Sequence, residues 1–422
     1  MDGFKVAIVG AGSSYTPEII EGLAAKREEL PISTLALMDI NEQRLETVAG
    51  FCRRYLTHLG CSIPVESTLD KRRALDGARF VLTQIRVGGN EQRILDEKIP
   101  LKYGVIGQET TGPGGMFNAL RTIPPMLEIA HELEELNPQA WIINYANPTG
   151  IVAEAVSKHS RIKIAGLCAG GYFPRQVVCQ ALKAPPEAVY YDYFGLNHLN
   201  FGYNLTLLGR PLTEGEWDQV AAKATWGAVD PGLIRLLRLV PSPYLQYFYH
   251  HTRQVNEARQ KSRTRGEVVQ DLEREVFQAY ADPSRFEKPP ALARRGGGGY
   301  SEIALAVMEA AFTNCEKIIV VNAPNRGAVD GLPDDAVLEI PCVVNASGIY
   351  PLRQPEVPRA VWGLVAAVKN YEQLTVEAAV NGSRELALLA LLAHPLVGEY
   401  EVALPLLEEM LEANRHFLGR FF

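Results

Sequence analysis

Two side chains that often bind metals, Cys168 and His198, occupy positions where chemistry is common in α/β proteins. Cys168 directly follows the β-rich stretch Lys163–Leu167, and His198 lies in an aromatic segment that reads as a hairpin. Two ligands from separate elements could leave coordination positions open for a substrate. On pattern alone, a cysteine after a strand is more often a core residue and a single histidine more often structural, so metal binding stays the less favoured alternative at this point.

An aromatic segment, PSPYLQYFYHHTRQ, holds Tyr244, Tyr247 and Tyr249. Packing between domains would account for most of these rings. A tyrosine placed beside a metal ion or an arginine could instead have a lowered pKa and act as a general base.

Near the N-terminus the sequence GAGSSYTP follows the apolar run VAIV. Glycines in such a strand-to-helix turn let a pyrophosphate approach the helix N-terminus, although Tyr15 stands where the dinucleotide fingerprint has its third glycine. Asp39 ends the next predicted strand, where a carboxylate can accept hydrogen bonds from a ribose diol and favours NAD over NADP. An ordinary structural turn is the alternative. The residues predicted to bind NAD are Gly10, Gly12, Ser13, Ser14 and Asp39.

Three further polar side chains lie in predicted loops, namely Arg93 in IRVGGNEQR, Asn147 in NYANPTG and Arg265 in TRGEV. A guanidinium can bind phosphate or carboxylate through two parallel hydrogen bonds, and a following proline limits the conformations of Asn147. Each could also be a plain surface or turn residue. The segment QETTGPGGMFNAL is predicted to be a Gly/Pro loop, either mobile over a pocket or a simple connector.

Short β-rich runs alternate with helical stretches through the first part of the chain. The predicted strands are Phe4–Val9, Thr34–Asp39, Phe80–Ile85, Ala140–Asn144 and Lys163–Leu167. This alternation predicts an α/β fold with a doubly wound, Rossmann-like parallel sheet, which binds ligands at the carboxyl ends of its strands.

After about residue 190 the pattern changes. An antiparallel hairpin is predicted in DYFGLNHLNFGYNLTLLG, followed by helices, the glycine run Gly296–Gly299 and a helical tail. We therefore predict an NAD-binding domain over residues 1–190 and an α+β catalytic and oligomerisation domain over residues 191–422.

Composition restricts the function classes. The net charge is −7 with acids and bases intermixed, which argues against a nucleic-acid or membrane-surface partner. No apolar run approaches the roughly 20 residues of a membrane helix, and MDGFKVAIVG lacks a secretory pattern. Six scattered cysteines without paired spacing are typical of reduced thiols, so a cytoplasmic protein is expected.

Taken together, these stretches resemble family 4 of the glycoside hydrolases, the NAD- and divalent-metal-dependent group, and within it the 6-phospho-β-glucosidases. The resemblance runs along almost the whole chain. It is carried by VAIVGAGSSYTPE, QIRVGGNEQRILDEKIPLKYGVIGQETTGPGGMFNALRTIP, NYANPTG, GLC, FGLNHL, SPYLQYFY, TRGEV, GGGGYSE and VNAPNRGAVDGLPDDAVLEIP.

The resemblance implies roles for individual residues. Cys168 and His198 would bind a divalent metal, usually Mn²⁺, although a thiolate is an unusual ligand for manganese. Tyr244 would be the catalytic base. The residues implied in binding the substrate and its 6-phosphate are Arg93, Asn147 and Arg265.

The implied reaction departs from the usual pair of carboxylates. NAD⁺ takes a hydride from C3 of the sugar, the metal polarises the ketone, and Tyr244 removes the acidified C2 proton. The C1 substituent is then eliminated, water adds, and the hydride returns to C3.

One position departs from the family pattern. The residue after the metal cysteine is commonly aspartate in α-acting members and asparagine in phospho-β-glucosidases, but here it is Ala169. Alanine cannot protonate a leaving group, so the acid is unassigned, and an unphosphorylated or α-linked glycoside becomes the alternative substrate.

Alternatives from other classes are an NAD-dependent 2-hydroxyacid dehydrogenase, because lactate and malate dehydrogenases have a similar architecture, and a non-catalytic NAD or sugar sensor. A homodimer or homotetramer is expected.

Overall fold

The computed structural model describes residues 3–295 and 300–422. The predicted glycine run Gly296–Gly299 lies outside the described residues. The first half of the chain forms a parallel sheet in which strand order 3-2-1-4-5-6 confirms the doubly wound prediction. Its strands are β1 (Phe4–Val9), β2 (Ile32–Met38), β3 (Val65–Thr68), β4 (Ala78–Thr83), β5 (Trp141–Asn144) and β6 (Lys163–Gly166).

The strand β3 was not predicted from the sequence. It is four residues long, stands at the edge of the sheet, and is at most half-buried, so its residues show no apolar run. The other five strands begin and end within two residues of the predicted bounds.

A second, antiparallel sheet contains the predicted hairpin. Its long strands pair Leu196 with Leu199 at the turn, so that His198 lies at the tip between them. The strands are β7 (Val189–Leu196), β8 (Leu199–Leu207), β9 (Arg210–Pro211) and β10 (Val240–Pro241).

Three late strands extend the first sheet rather than the second. They are β11 (Lys317–Pro324), β12 (Val337–Asn345) and β13 (Gly348–Pro351). Strand β11 pairs antiparallel with β6 through Asn322 and Gly166, and β12 and β13 follow outward. Residues from both predicted domains therefore share one sheet, and the division at residue 190 stays a prediction.

Helices cover both faces of the large sheet and bury its Val, Ile and Leu side chains. The helices of the first half are α1 (Thr16–Ala25), α2 (Glu42–His58), α3 (Lys71–Leu75), α4 (Gly89–Lys102), α5 (Gly112–Leu136), α6 (Thr149–His159) and α7 (Phe173–Leu182). Those of the second half are α8 (Glu214–Lys223), α9 (Pro231–Leu237), α10 (Gln246–Tyr249), α11 (His251–Gln260), α12 (Arg265–Ala281), α13 (Pro290–Arg295), α14 (Tyr300–Thr313), α15 (Arg359–Asn381), α16 (Arg384–Ala393) and α17 (Tyr400–Ala413). Within the described part of the chain, no helix is both long enough and apolar enough to cross a membrane.

The segment QETTGPGGMFNAL is not a loop along its whole length, which corrects the prediction. Helix α5 begins at Gly112 and its first turns are buried. A Cβ on Gly114 would lie 2.4 Å from the Gln108 carbonyl oxygen, and one on Gly115 would lie 2.2 Å from that of Thr110. The glycines thus allow close packing of the helix against the preceding residues, which connect it to α4.

Candidate functional site

Two cavities meet at the carboxyl end of the parallel sheet. The first has a volume of about 1490 Å³ and is lined by the turn after β1 and by residues that follow β2, β4 and β5. The second has a volume of about 720 Å³ and is lined by Cys168 and helix α7. His198 and Tyr244 line both cavities and therefore form the wall between them.

The glycine turn after β1 is held against the neighbouring strands. Gly10 has φ +85°, and a Cβ there would lie 2.9 Å from the carbonyl carbon of Gln84. The N–H groups of Gly10 and Ala11 both donate to the Met38 carbonyl oxygen at 2.9 Å. Glycine is required here because an L-residue would be strained and would also clash.

Asp39 lies directly beside this turn. Its Oδ2 accepts a hydrogen bond from the Gly12 N–H at 2.8 Å, and its Oδ1 accepts one from the Asn41 N–H at 2.9 Å. The carboxylate is half-buried at the edge of the first cavity. Each oxygen has a further lone pair, so the predicted bonds to ribose hydroxyls are sterically and chemically feasible.

A glutamate that the sequence did not indicate, Glu273 on α12, reaches over the same turn. It accepts a hydrogen bond from the Ser14 hydroxyl at 3.2 Å and one from the Asn90 amide at 3.0 Å, and it pairs with Arg44 at 3.1 Å. Glu273 is far from these residues in the chain, and a single acid on an amphipathic helix carries no signal of such a contact.

The structure also shows what Tyr15 contacts at the position of the missing third glycine. The Arg295 guanidinium lies over its ring, 4.6 Å from the centroid. A cation above an aromatic face is attracted by the ring quadrupole. The residue that replaces the third glycine of the fingerprint thus helps to hold an arginine at the cavity.

Arg93 is engaged by two carboxylates. Its Nε donates to Glu97 at 2.9 Å, and its Nη1 lies 3.3 Å from Glu109. Arg86 contacts the same Glu109 oxygen at 2.6 Å. Burial alone would raise the pKa of Glu109, but the two guanidinium groups outweigh it and lower that pKa to about 2. Glu109 was not singled out from the sequence, because its arginine partners meet it only in the folded chain.

The other two predicted substrate residues line the same cavity. Asn147 follows β5, and its bond to Pro148 is cis. Arg265 is the first residue of α12, and its Nη2 donates to the carbonyl oxygens of Arg294 and Arg295 at 3.2 and 2.6 Å. The structure thus brings Arg93, Asn147 and Arg265 to one cavity.

His198 and Tyr244 are stacked. Their ring centroids are 3.7 Å apart and the rings are tilted by 11°. His198 is buried with φ +66°, and among the described residues its Nδ1 has no hydrogen-bond partner. Burial lowers the pKa of this imidazole to about 4, so it is neutral at pH 7, the form that binds metals.

Cys168 follows β6 by two residues and lines the second cavity together with this pair. A thiol and a neutral imidazole with an unpartnered nitrogen are suitable donors for a divalent cation. Among residues 3–295 and 300–422, no cluster of three or more His, Cys, Asp or Glu side chains is placed to bind one. Two protein ligands would leave several coordination positions open.

Behind Cys168 and His198 lies a buried carboxylate, Glu339 on β12, that was not indicated by the sequence. Its Oε1 accepts hydrogen bonds from Tyr193 at 2.6 Å and Asn200 at 3.1 Å. Its Oε2 accepts bonds from Asn197 at 3.4 Å and Asn322 at 3.3 Å. Burial nevertheless raises the pKa of Glu339. Because Asn197 and Asn200 flank His198 in the chain, this carboxylate fixes the hairpin tip.

Ala169 opens a short turn over Ala169–Tyr172 and lines the second cavity. Its methyl group supplies no proton at a position adjacent to Cys168.

Comparison with known proteins shows the family to which the chain belongs. Residues 5–184 match the model of the family 4 glycosyl hydrolases, and residues 193–397 match the C-terminal domain of that family. A probable 6-phospho-beta-glucosidase of Bacillus subtilis is 40% identical over 100% of this chain and 98% of its own length. The 6-phospho-beta-glucosidase of Escherichia coli is 36% identical over 99% of this chain and 96% of its own length.

Solved structures are similar as well. The 6-phospho-beta glucosidase of Thermotoga maritima, in complex with NAD and glucose-6-phosphate, superposes with a TM-score of 0.90 at 35% identity and 99% coverage of both chains. The malate dehydrogenase of Plasmodium falciparum has a TM-score of 0.54 at 14% identity, covering 89% of this chain and 98% of its own, and shares the fold alone. The chain belongs to family 4 of the glycosyl hydrolases.

Proposed function

We propose that this protein hydrolyses 6-phospho-β-glucosides and uses NAD and a divalent metal, Mn²⁺, as cofactors. The observation that carries the proposal is the shared wall of the two cavities. His198 and Tyr244 stand between the nucleotide turn on one side and Cys168 on the other. The relatives named 6-phospho-beta-glucosidase, and the Thermotoga maritima structure with manganese, NAD⁺ and glucose-6-phosphate, support the same substrate and cofactors.

The first cavity suits an anionic sugar and a dinucleotide. We assign the pyrophosphate and ribose contacts to the turn and to Asp39, and the substrate contacts to Arg93, Asn147 and Arg265. Arg86 and Arg295 add positive charge to the same lining. The proposed nucleotide-binding residues are Gly10, Gly12, Ser13, Ser14 and Asp39.

Cys168 and His198 are the proposed metal ligands, since the unpartnered imidazole nitrogen and the adjacent thiol fit a cation. NAD held by the turn and Asp39 would supply a reversible hydride acceptor for C3 of the sugar, and a metal held by Cys168 and His198 would supply a Lewis acid for the oxygens at C2 and C3.

Tyr244 is the proposed base for the proton at C2. Its ring is held by the stack on His198, which fixes the phenol oxygen in the wall between the cavities. Burial raises the pKa of this phenol in the protein alone, so positive charge beside it is needed before it can accept a proton at neutral pH. Because Ala169 has no acidic group, the proton for the leaving oxygen is assigned to water.

The test is a set of p-nitrophenyl glucosides that differ in anomer and in the 6-phosphate. We expect hydrolysis of the β-anomer with 6-phosphate only when both NAD⁺ and Mn²⁺ are present, with deuterium at C2 of the product in D₂O. Hydrolysis that persists after NAD⁺ removal would contradict the mechanism. Net NADH formation with a 2-hydroxyacid would favour a dehydrogenase instead.

The second candidate is a family 4 glycosidase for an unphosphorylated or α-linked glycoside. Ala169 favours the unphosphorylated substrate, because the polar side chain usual in the family is absent there. The other arms of the same screen test it.

We also propose a cytoplasmic homodimer or homotetramer. Support comes from six free cysteines and from exposed apolar side chains on the C-terminal segment, among them Leu389, Tyr400 and Phe422. Sedimentation equilibrium of the purified chain would show a monomer if the oligomer proposal is wrong.

A further inference from the structure

The second cavity leads away from the proposed reaction centre. Cys168, His198 and Tyr244 line one part of it. Another part is formed by α7, which contributes Phe173, Gln176 and Gln180, and by Trp226. The cavity is therefore continuous with the place where the glycosidic bond would break, and it lies on the side of the wall that does not hold the nucleotide turn.

Trp226 is unusual in its exposure and its backbone. Its side chain is 70% exposed, and the ring packs on Phe173 with centroids 4.9 Å apart and planes at 59°. Thr225 and Trp226 have φ values of +58° and +49°, a left-handed conformation that costs non-glycine residues about 1–2 kcal/mol each.

The strained turn is nevertheless well defined. The Thr225 hydroxyl accepts a hydrogen bond from the Val229 N–H at 3.0 Å, and the Ala228 N–H donates to the Thr225 carbonyl oxygen at 2.9 Å. A fixed and strained turn that presents a large apolar ring to a cavity is typical of a ligand-binding position.

The two cavities differ in the charge of the side chains that line them. Several arginines, including Arg86, Arg93 and Arg265, line the first cavity. Among the described residues that line the second, Arg175 is the single Arg or Lys and Glu302 the single Asp or Glu, so their charges balance. The Arg175 guanidinium lies over the Tyr191 ring at 5.4 Å. An anionic phosphate therefore fits the first cavity, whereas the second suits an uncharged group with a flat apolar face.

We propose that the second cavity is the aglycone subsite, that it prefers leaving groups that carry a ring, and that Trp226 stacks on that ring. The inference rests on the proposed function, which places the C1 substituent next to Tyr244. The side-chain amides of Gln176 and Gln180 can donate to hydroxyls on the leaving group, so both aryl and glycosyl rings have partners.

The test compares phenyl and methyl 6-phospho-β-glucosides, which share the sugar and differ in the ring, using enzyme loaded with NAD⁺ and Mn²⁺. For Trp226→Ala we expect the phenyl-to-methyl ratio of kcat/KM to fall about fivefold, and Trp226→Phe to restore most of it, since an aromatic stack contributes a few-fold to ten-fold in binding. Leu236→Ala is the control, because Leu236 is 79% exposed in the same region but does not line the cavity.

Equilibrium binding of the two glucosides by calorimetry provides a readout that does not depend on turnover. An unchanged ratio in Trp226→Ala overturns the subsite while the proposed function stands. If wild type hydrolyses neither glucoside but binds the phenyl compound in a Trp226-dependent way, the proposed function fails and the subsite stands. Trp226→Ala, unlike Leu236→Ala, could also dissociate an oligomer and leave the phenyl-to-methyl ratio unchanged. That result would identify Trp226 as an interface residue and overturn the proposal.

Discussion

Replacing Glu339 by glutamine tests whether the buried carboxylate behind the proposed metal ligands fixes their geometry. The substitution keeps the size of the side chain but replaces one acceptor oxygen with a donor. Tyr193 and Asn200 can still donate to the remaining oxygen, which then occupies the position of Oε1. The new amide group would face the amides of Asn197 and Asn322, which are also donors.

The expected loss of stability follows from the number of hydrogen bonds that the substitution removes. A hydrogen bond to a charged acceptor contributes about 1.5–3 kcal/mol, so the loss of two amounts to about 3–6 kcal/mol. Burial raises the pKa of Glu339, which means that the uncharged amide recovers part of the loss. We expect a net decrease of about 2–4 kcal/mol in the free energy of unfolding. Rotating the Asn322 amide does not restore its bond, because its Nδ2 also donates to the Gly166 carbonyl oxygen. The Asn197 Oδ1 has no partner among the described residues, so rotation of that amide can recover one bond and places the expected loss at the lower end of this range.

Two measurements check the expectation. Urea unfolding followed by fluorescence reports stability, and the free-ion EPR signal of Mn²⁺ reports metal affinity without any need for turnover. Loss of a group that orients metal ligands typically weakens binding about 10–100-fold. Tyr193→Phe is the graded control, since it removes one donor to the same carboxylate and keeps the ring, and it should cost about 1.5–3 kcal/mol. Wild-type Mn²⁺ affinity and an unchanged unfolding midpoint in Glu339→Gln would refute the assignment.

Three other outcomes are expected. Tyr244→Phe should lower kcat about 10²–10⁴-fold and abolish deuterium incorporation at C2. NAD⁺ binding measured by calorimetry should stay the same, because the stack on His198 is retained. Deuterium exchange at the wild-type rate would contradict the role of the phenol. Gly10→Ala should lower stability by about 1–3 kcal/mol and weaken NAD⁺ binding, since its φ is +85° and the new Cβ would lie 2.9 Å from the Gln84 carbonyl carbon; an unchanged melting temperature would contradict this. Burial outweighs the attraction of a nearby lysine and raises the pKa of Glu372 to about 7. Between pH 4.5 and 7 the native state therefore holds a proton that the unfolded chain has lost. The free energy of unfolding should consequently fall by about 3 kcal/mol as the pH rises from 4.5 to 7. Glu372→Gln should flatten this part of the urea-midpoint profile, and an unchanged slope would count against it.

Local sequence was sufficient to predict the glycine turn after β1. Strand β1, its glycines and Asp39 all follow from short-range patterns, because neighbouring parallel strands end at one edge of the sheet. The same argument placed Cys168 just after β6, whereas the four-residue edge strand β3 has too little apolar content to be recognised. The loop predicted at QETTGPGG was wrong because the glycines there permit tight packing of a helix.

By itself, then, the sequence determined the fold class, the family and some of the residues that line the cavities. Only the tertiary structure decided which of them meet. The stack of His198 on Tyr244, the pairing of Glu273 with the turn, the donors around Glu339 and the packing of Trp226 on Phe173 all join separate elements. Contacts of this kind depend on how helices and sheets pack. The spacing of two residues along the chain does not say how far apart their side chains lie once the chain is folded.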